Sequence, residues 1–166
     1  MIGLVLSCEH ASWTLPPGID LGVPPSVLRS QAGWDHGAFE IASQLSDAVG
    51  LPVHTGAFSR MFVDLNRAPE LDPVQRTYDL GVLYDPAHPL EAELAERLMF
   101  RLRGAGLDVR ANQPYSGVGP AICTSLRVEL GAPYAGIQFE TSHAVTYKDG
   151  GCARVADAVA PFLESL

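Results

Sequence analysis

A chain of 166 residues with a formal net charge of -8 has the size of one ordinary domain and lacks the basic surface that nucleic-acid partners require. Its three cysteines, Cys8, Cys123 and Cys152, form no CxxC or CxxH pattern, which disfavours a disulfide framework and a zinc finger. No stretch approaches about 18 consecutive apolar residues and no basic segment precedes the first strand, so we expect a cytoplasmic protein without a signal peptide or membrane span.

Apolar periodicity and the positions of proline and glycine predict alternating strands and helices along the chain. Strands are predicted at residues 4–10, 51–56, 80–84, 108–110 and 134–140, with a strand or extended segment at 58–65 and loops at 11–25 and 67–76. Helices are predicted at residues 27–30, 38–49, 90–104, 125–130 and 151–166. Gly50 is the predicted C-cap of the helix at 38–49, and the charges of the helix at 90–104, Glu91 among them, are predicted to face solvent.

This alternation predicts an α/β protein, a three-layer α/β/α fold with a mainly parallel or mixed central sheet of the phosphorylase/hydrolase-like kind. We find no internal repeat and no linker, so residues 1–166 are predicted to form a single domain.

Polar side chains follow strands at three places: Glu9 and His10, the segment from Arg60 to Arg67, and Glu140 with His143. Parallel strands would bring these ends to one edge of the sheet, which predicts a pocket there. An ordinary strand end at the surface is the alternative for Glu9 and His10.

Five motifs resemble those of the N-formylglutamate amidohydrolase family, in the same order. They are SCEHAS at 7–12, GWDHGA at 33–38, SRMFVDLNR at 59–67, GVLYD at 81–85 and NQPYSG at 112–117. The resemblance spans nearly the whole chain. It implies a fold related to zinc carboxypeptidases and to the succinylglutamate desuccinylase and aspartoacylase group.

The resemblance also implies a zinc-dependent hydrolase that acts on a small N-acyl amino acid through a metal-activated water. Zinc takes nitrogen and oxygen ligands and keeps one position open, which suits a histidine with nearby carboxylates. His10 is the first candidate ligand, with Glu9 or Asp35 supplying oxygen. Asp35 has an alternative role as a helix N-cap, since aspartate is among the preferred caps. Glu140 resembles the glutamate that serves the related enzymes as general base.

Substrate binding is assigned by the same resemblance. Asn66 and Arg67 resemble the pair that holds the substrate carboxylate in the carboxypeptidase-like relatives, and Arg60 resembles a second arginine near the scissile carbonyl. Asp64, in the SRMFVDLNR motif, and Tyr115, in the NQPYSG motif, are further candidates for substrate contact. A surface salt bridge is the alternative for Arg67.

The chain departs from the family pattern at two places. Family members carry a long segment with a further histidine between DLNR and GVLYD, where this chain has only residues 68–77. His143 is the first candidate to replace that histidine as a zinc ligand and His36 the second, whereas His54 and His88 are interpreted as structural or solvent-facing. The second departure is Thr141 to His143, which stands where the family usually has an arginine-containing segment.

The main alternative to an enzyme is a non-catalytic module that binds a small carboxylate and has lost the metal with the deleted segment. Cleavage of a cell-wall-type amide is a third hypothesis, which the absence of an export signal disfavours. The sequence leaves open the acyl group, the amino acid, the metal and the oligomeric state.

Overall fold

The computed structural model describes residues 3–65 and 77–166. The chain divides into an N-terminal unit, Met1–Leu65 with Thr146–Leu166, and a central unit, Asn66–Val145. The single domain over residues 1–166 stays a prediction. The helices of the described residues are α1 Pro25–Leu28, α2 Ala38–Val49, α3 Pro89–Gly104, α4 Ile122–Leu130, α5 His143–Thr146 and α6 Gly151–Leu163. The strands are β1 Leu6–Cys8, β2 Val53–Thr55, β3 Leu80–Leu83, β4 Val109–Ala111 and β5 Gln138–Thr141.

In the N-terminal unit, β1 pairs with β2 in parallel and α2 packs against α6. The core side of α2 buries Ile41 and Leu45, and α6 buries an apolar stripe that includes Val155 and Val159. Burying such stripes is what stabilises helices of this length in water. The predicted helix at 38–49 is confirmed, as is its C-cap at Gly50, whose N–H donates to the Ser46 carbonyl at 2.8 Å.

The N-cap of α2 is Gly37, so the interpretation of Asp35 as the cap is wrong. Gly37 has a φ of 79°, in the left-handed region that glycine adopts without steric cost. A β-carbon at this position would also lie 2.7 Å from Cβ of Thr146 and 2.9 Å from Sγ of Cys152. The helix therefore begins three residues after Asp35, whose carboxylate has other partners.

Residues 58–65 form no strand, so the predicted strand or extended segment there is replaced by a turn. The turn is closed by the N–H of Phe62, which donates to the carbonyl of Ser59 at 2.9 Å. Ser59 donates its own N–H to the carbonyl of Thr14 at 2.7 Å, so its backbone is tied to a loop instead of a strand. The predicted loop at 67–76 lies outside the described residues.

The central unit contains a mixed sheet in the order β4-β3-β5, with β4 parallel and β5 antiparallel to β3. This sheet and the parallel pair of the N-terminal unit confirm the α/β class with mixed pairing. Glu140 lies opposite Gly81, at the beginning of β3 and away from the carboxyl ends of β3 and β4. The expectation that parallel pairing gathers all the polar strand ends at one edge is therefore wrong for β5.

A buried ion pair anchors α3 in the central unit. Glu91 is 0% exposed and accepts hydrogen bonds from Nε and Nη2 of Arg127 at 2.6 and 2.9 Å. The backbone N–H groups of Asp85 and Gly136 donate to the same carboxylate at 2.8 and 2.9 Å. The prediction that Glu91 faces solvent is therefore wrong. The bond from Gly136 also explains why β5 begins at Gln138, later than predicted, since this N–H does not join the sheet.

Burial raises the pKa of Glu91, but the hydrogen bonds from Arg127, Asp85 and Gly136 outweigh it, and the net effect is a lowered pKa. A carboxyl group whose pKa is lower in the folded than in the unfolded chain stabilises the fold above its unfolded pKa of about 4.3. That stabilisation is lost as the pH falls through the lower, folded pKa.

None of the helices formed by residues 3–65 and 77–166 has both the length and the apolar character needed to cross a bilayer.

We predict that Glu91→Ala lowers the free energy of unfolding by about 3–5 kcal/mol, because it leaves the Arg127 guanidinium buried without its carboxylate. Urea denaturation at neutral pH measures the loss. The matched control is Glu93→Ala, since Glu93 is exposed and lies 3.6 Å from Arg97, a type of pair worth about 0–1 kcal/mol. Equal losses in the two variants would contradict the assignment. The acid-induced loss of stability below about pH 4 should also be smaller in Glu91→Ala than in the wild type.

Candidate functional site

His10 lies directly after β1 in the N-terminal unit and is 5% exposed. Both nitrogens of its ring face carboxylates. Nδ1 lies 3.0 Å from Oδ2 of Asp35, and Nε2 lies 2.7 Å from Oδ1 of Asp64. Two aspartates from separate parts of the sequence thus meet at one buried imidazole.

A neutral imidazole donates a hydrogen bond from only one of its nitrogens, and a carboxylate only accepts. Two flanking carboxylates therefore require an N–H at both nitrogens, or an N–H at one and a proton or cation shared at the other. The backbone N–H of Asp35 also donates to the carbonyl of His10 at 3.1 Å, so these two residues are linked twice. Asp64 is joined to His10 through its side chain, which is 26% exposed.

Arg60 extends this cluster behind Asp35. Its Nη2 donates to Oδ1 of Asp35, while Oδ2 of the same carboxylate faces His10. The Arg60 side chain is 11% exposed and the Asp35 side chain 41%. The order Arg60, Asp35, His10, Asp64 is a continuous chain of charge-assisted contacts, the strongest class of hydrogen bond in proteins.

Backbone contacts hold the two loops that carry these side chains. The carbonyl of Gly33 accepts hydrogen bonds from Oγ of Ser59 at 2.8 Å and from the N–H of Arg60 at 3.1 Å. A β-carbon on Gly33 would lie 1.9 Å from the carbonyl oxygen of Leu28, so only glycine permits this close approach. The Gly33 carbonyl therefore holds the loops at 33–35 and 59–60 together independently of the side chains of the cluster.

His36, the second candidate to replace the missing histidine, packs between aromatic rings. Its ring stacks on Tyr147 with centroids 4.2 Å apart and meets Trp34 edge-on at 5.5 Å. Nδ1 of His36 is buried and makes no hydrogen bond within the described part of the chain. Its role as a zinc ligand stays a prediction.

The other candidates lie at several places. Glu9 accepts a hydrogen bond from Oγ of Ser7 at 2.6 Å, whereas Glu140, His143 and Tyr115 belong to the central unit. Oε1 of Glu140 accepts from Nε2 of Gln138 at 3.2 Å. Asn66 and Arg67 lie outside the described residues.

His54 and His88 match their predicted structural or solvent-facing roles. His54 is exposed on β2, and Nδ1 of His88 caps α3 by accepting from the N–H of Glu91 at 3.4 Å. Cys8, one residue before Glu9, is no candidate nucleophile, because burial, with a smaller contribution from Glu9, raises the pKa of its thiol to about 12.

A zinc site needs more ligands than these contacts supply. Catalytic zinc is bound by three protein ligands and a water, whereas no cluster of three or more His, Cys, Asp or Glu side chains suited to a metal occurs among residues 3–65 and 77–166. The described residues therefore do not complete a zinc site. The ligand set Glu9, His10, Asp35 and His143 stays a prediction.

Comparison with known proteins gives a family match and a structural match. The sequence profile of the N-formylglutamate amidohydrolase family matches residues 2–91, more than half of the chain, and this range contains His10, Asp35, Arg60 and Asp64. The crystal structure of a gene product from Agrobacterium tumefaciens is similar with a TM-score of 0.78 and 24% identity, over 97% of this chain and 89% of that one. This second likeness concerns the fold. Among curated proteins, no sequence matches this chain.

We predict that Gly33→Ala lowers the free energy of unfolding by about 1–3 kcal/mol, because the new β-carbon overlaps the Leu28 carbonyl and forces the backbone apart. Chemical denaturation measures the effect. Gly104→Ala is the control, since a β-carbon there meets nothing within 4 Å and favours the helical conformation. A Gly33→Ala variant as stable as the control would refute the close approach of Gly33 to the Leu28 carbonyl.

Proposed function

We propose that this chain, which belongs to the N-formylglutamate amidohydrolase family, hydrolyses the amide bond of a small N-acyl amino acid such as N-formylglutamate. The family supports this class of small-molecule substrate. The observation that carries the proposal is the pairing of a buried histidine with a carboxylate at each ring nitrogen, His10 with Asp35 and Asp64.

Amide hydrolysis requires a group that accepts a proton and gives it up again. The water oxygen forms a bond to the acyl carbon, the C–N bond breaks, and one proton of the water ends on the amine nitrogen. His10 and Asp64 can share a proton between Nε2 and Oδ1, which lie 2.7 Å apart, and Asp64 is partly open to solvent. Asp35 at Nδ1 holds the ring in place during this transfer, as an orienting carboxylate does in other acid–base catalysts. Glu140, the base implied by the family, is the other candidate to carry the same proton.

The substrate carboxylate is assigned to Asn66 and Arg67 in this proposal. A guanidinium group binds a carboxylate through two parallel hydrogen bonds, which provides orientation as well as affinity. Tyr115 is proposed as a further substrate contact.

Zinc dependence is the second part of the proposal. Imidazole and carboxylate are zinc donors, and zinc lowers the pKa of a bound water to about 7 and polarises a carbonyl. His10 is the proposed ligand, with Glu9, Asp35 and His143 as the candidates to complete the set. A zinc ion on a ring nitrogen of His10 would take the place of the carboxylate contact there, and Glu140 would then carry the proton.

We expect the purified protein to release formate from N-formylglutamate with a kcat on the order of 1 s⁻¹ or more. Metal analysis of protein prepared without chelator should find about one zinc per chain, and EDTA should abolish turnover. Hydrolysis that persists without metal would retain the first part of the proposal and remove the second. No hydrolysis of any N-acyl amino acid, together with thermal stabilisation by N-formylglutamate that EDTA leaves unchanged, would favour a binding module.

Two substitutions separate binding from chemistry. Arg67→Ala should raise KM by about 10–100-fold, because a charge-assisted contact worth about 1.5–3 kcal/mol is lost. Glu140→Gln should lower kcat by about 10²–10⁴-fold if this residue carries the proton. A kcat that survives Glu140→Gln would assign the proton to the His10 and Asp64 pair instead. Steady-state formate release measures both constants.

The matched controls for these substitutions remove exposed charges of the same type. Arg110→Ala removes a guanidinium that pairs with Asp108 at the surface, and Glu93→Gln neutralises an exposed carboxylate of α3. Neither control should change kcat or KM.

A further inference from the structure

The partner of Arg60 differs from the one that a substrate-binding role requires. The resemblance to the family implies an arginine that contacts the substrate near its scissile carbonyl. Nη2 of Arg60 instead donates to Oδ1 of Asp35, and the side chain is 11% exposed. With 11% of its side chain exposed, Arg60 is nearly enclosed, and its contact with Asp35 is made within the protein itself.

Asp35 transmits this contact to His10. Its two carboxylate oxygens have separate partners, since Oδ1 accepts from Arg60 and Oδ2 faces Nδ1 of His10 at 3.0 Å. A carboxylate fixed at one oxygen by a guanidinium has a defined orientation at the other. In sites where one ring nitrogen of a histidine does the chemistry, such a partner at the other nitrogen sets the tautomer and the ring orientation.

The backbone around Arg60 is fixed independently of its side chain. Its N–H donates to the carbonyl of Gly33 at 3.1 Å, and the preceding Ser59, which is 0% exposed, bonds to the same carbonyl through Oγ at 2.8 Å. Gly33 stands two residues before Asp35. The guanidinium and the carboxylate are therefore held together from both loops, as a rigid support for a functional side chain requires.

We propose that Arg60 is a positioning residue, which acts through Asp35 to fix the ring of His10 so that Nε2 faces Asp64, and that it does not clamp the substrate. The kinetic consequences rest on the proposed hydrolase function. The consequences for the His10 ring do not depend on it.

The kinetic test compares kcat with KM for N-formylglutamate. Arg60→Gln should lower kcat by about 10–100-fold, the usual effect of removing a group that orients a functional histidine. KM should change by less than about threefold, because no contact with the substrate is lost. A KM raised about tenfold or more with kcat retained would overturn the proposal, since that is the signature of a contact with the bound substrate. An arginine that contacts the scissile carbonyl in the transition state would also lower kcat, but its effect would not depend on Asp35.

A double-mutant cycle tests whether Arg60 acts through Asp35. If it does, the variant carrying both Arg60→Gln and Asp35→Asn should be no less active than Asp35→Asn alone, within about twofold. Losses that multiply would show independent action and overturn the proposal. Arg110→Gln is the matched control, because it removes a guanidinium from an exposed pair with Asp108 at 3.0 Å.

The spectroscopic test needs no turnover. In ¹⁵N-histidine-labelled full-length protein at one fixed pH, His10→Gln identifies the ring resonances of His10 among those of the five histidines. Arg60→Gln should shift or broaden the Nδ1–H resonance of His10, and Arg60→Lys should restore it in part, because lysine keeps the charge without the fork. Arg110→Gln should leave it unchanged.

A His10 spectrum that is the same in wild type, Arg60→Gln and Arg60→Lys would overturn the proposal. If Arg60→Gln does not fold, the comparison of wild type, Arg60→Lys and Asp35→Asn decides in the same way. If the wild type releases no formate from any N-acyl amino acid while the Arg60 variants shift the His10 resonances, the proposed function fails and the positioning role stands.

Discussion

The N-terminal unit is organised around one constraint, an imidazole placed between two carboxylates. His10 is nearly enclosed, so its two ring nitrogens must find partners within the protein. Asp35 and Asp64 supply those partners from loops that are 25 and 54 residues away in sequence. The loops must be held closely by their backbone contacts, since an aspartate displaced by an ångström would leave a buried polar atom without its hydrogen bond.

Local pattern predicted the elements whose burial is periodic. The helix at 38–49, its Gly50 cap and the helix that includes Leu94 and Leu98 follow from apolar spacing alone. The features that sequence reasoning missed depend on contacts between distant residues. The pattern predicts that the segment from Arg60 to Arg67 reaches the same pocket as His10, but as the end of a strand. Asp64 instead meets His10 from a turn, which replaces the strand because Ser59 bonds to Thr14 and Gly33. The GWDHGA and SRMFVDLNR motifs indicate that the segments carrying Asp35 and Asp64 belong to the candidate site.

The central unit also depends on a buried charge, the carboxylate of Glu91, whose hydrogen-bond partners compensate it more fully. Glu91 accepts hydrogen bonds from one guanidinium and two backbone amides, so its charge is compensated on every side that the described contacts reach. Such a carboxylate has a structural role. The charges around His10 are less enclosed, because the side chains of Asp35 and Asp64 are 41% and 26% exposed to solvent. This partial exposure to solvent distinguishes the His10 cluster from the closed ion pair of Glu91.

The packing of α2 against α6 has a consequence for the order of events during synthesis. Gly37 touches Thr146 and Cys152, so the loop that carries Asp35 rests on residues translated more than a hundred codons later. Contacts so distant in sequence form late, because the intervening chain must first be made and its ends brought together. The loop that carries Asp35 is thus synthesised early, and its contacts with Thr146 and Cys152 form only later. During that interval the face of α2 that packs against α6 in the folded unit has not yet met that helix.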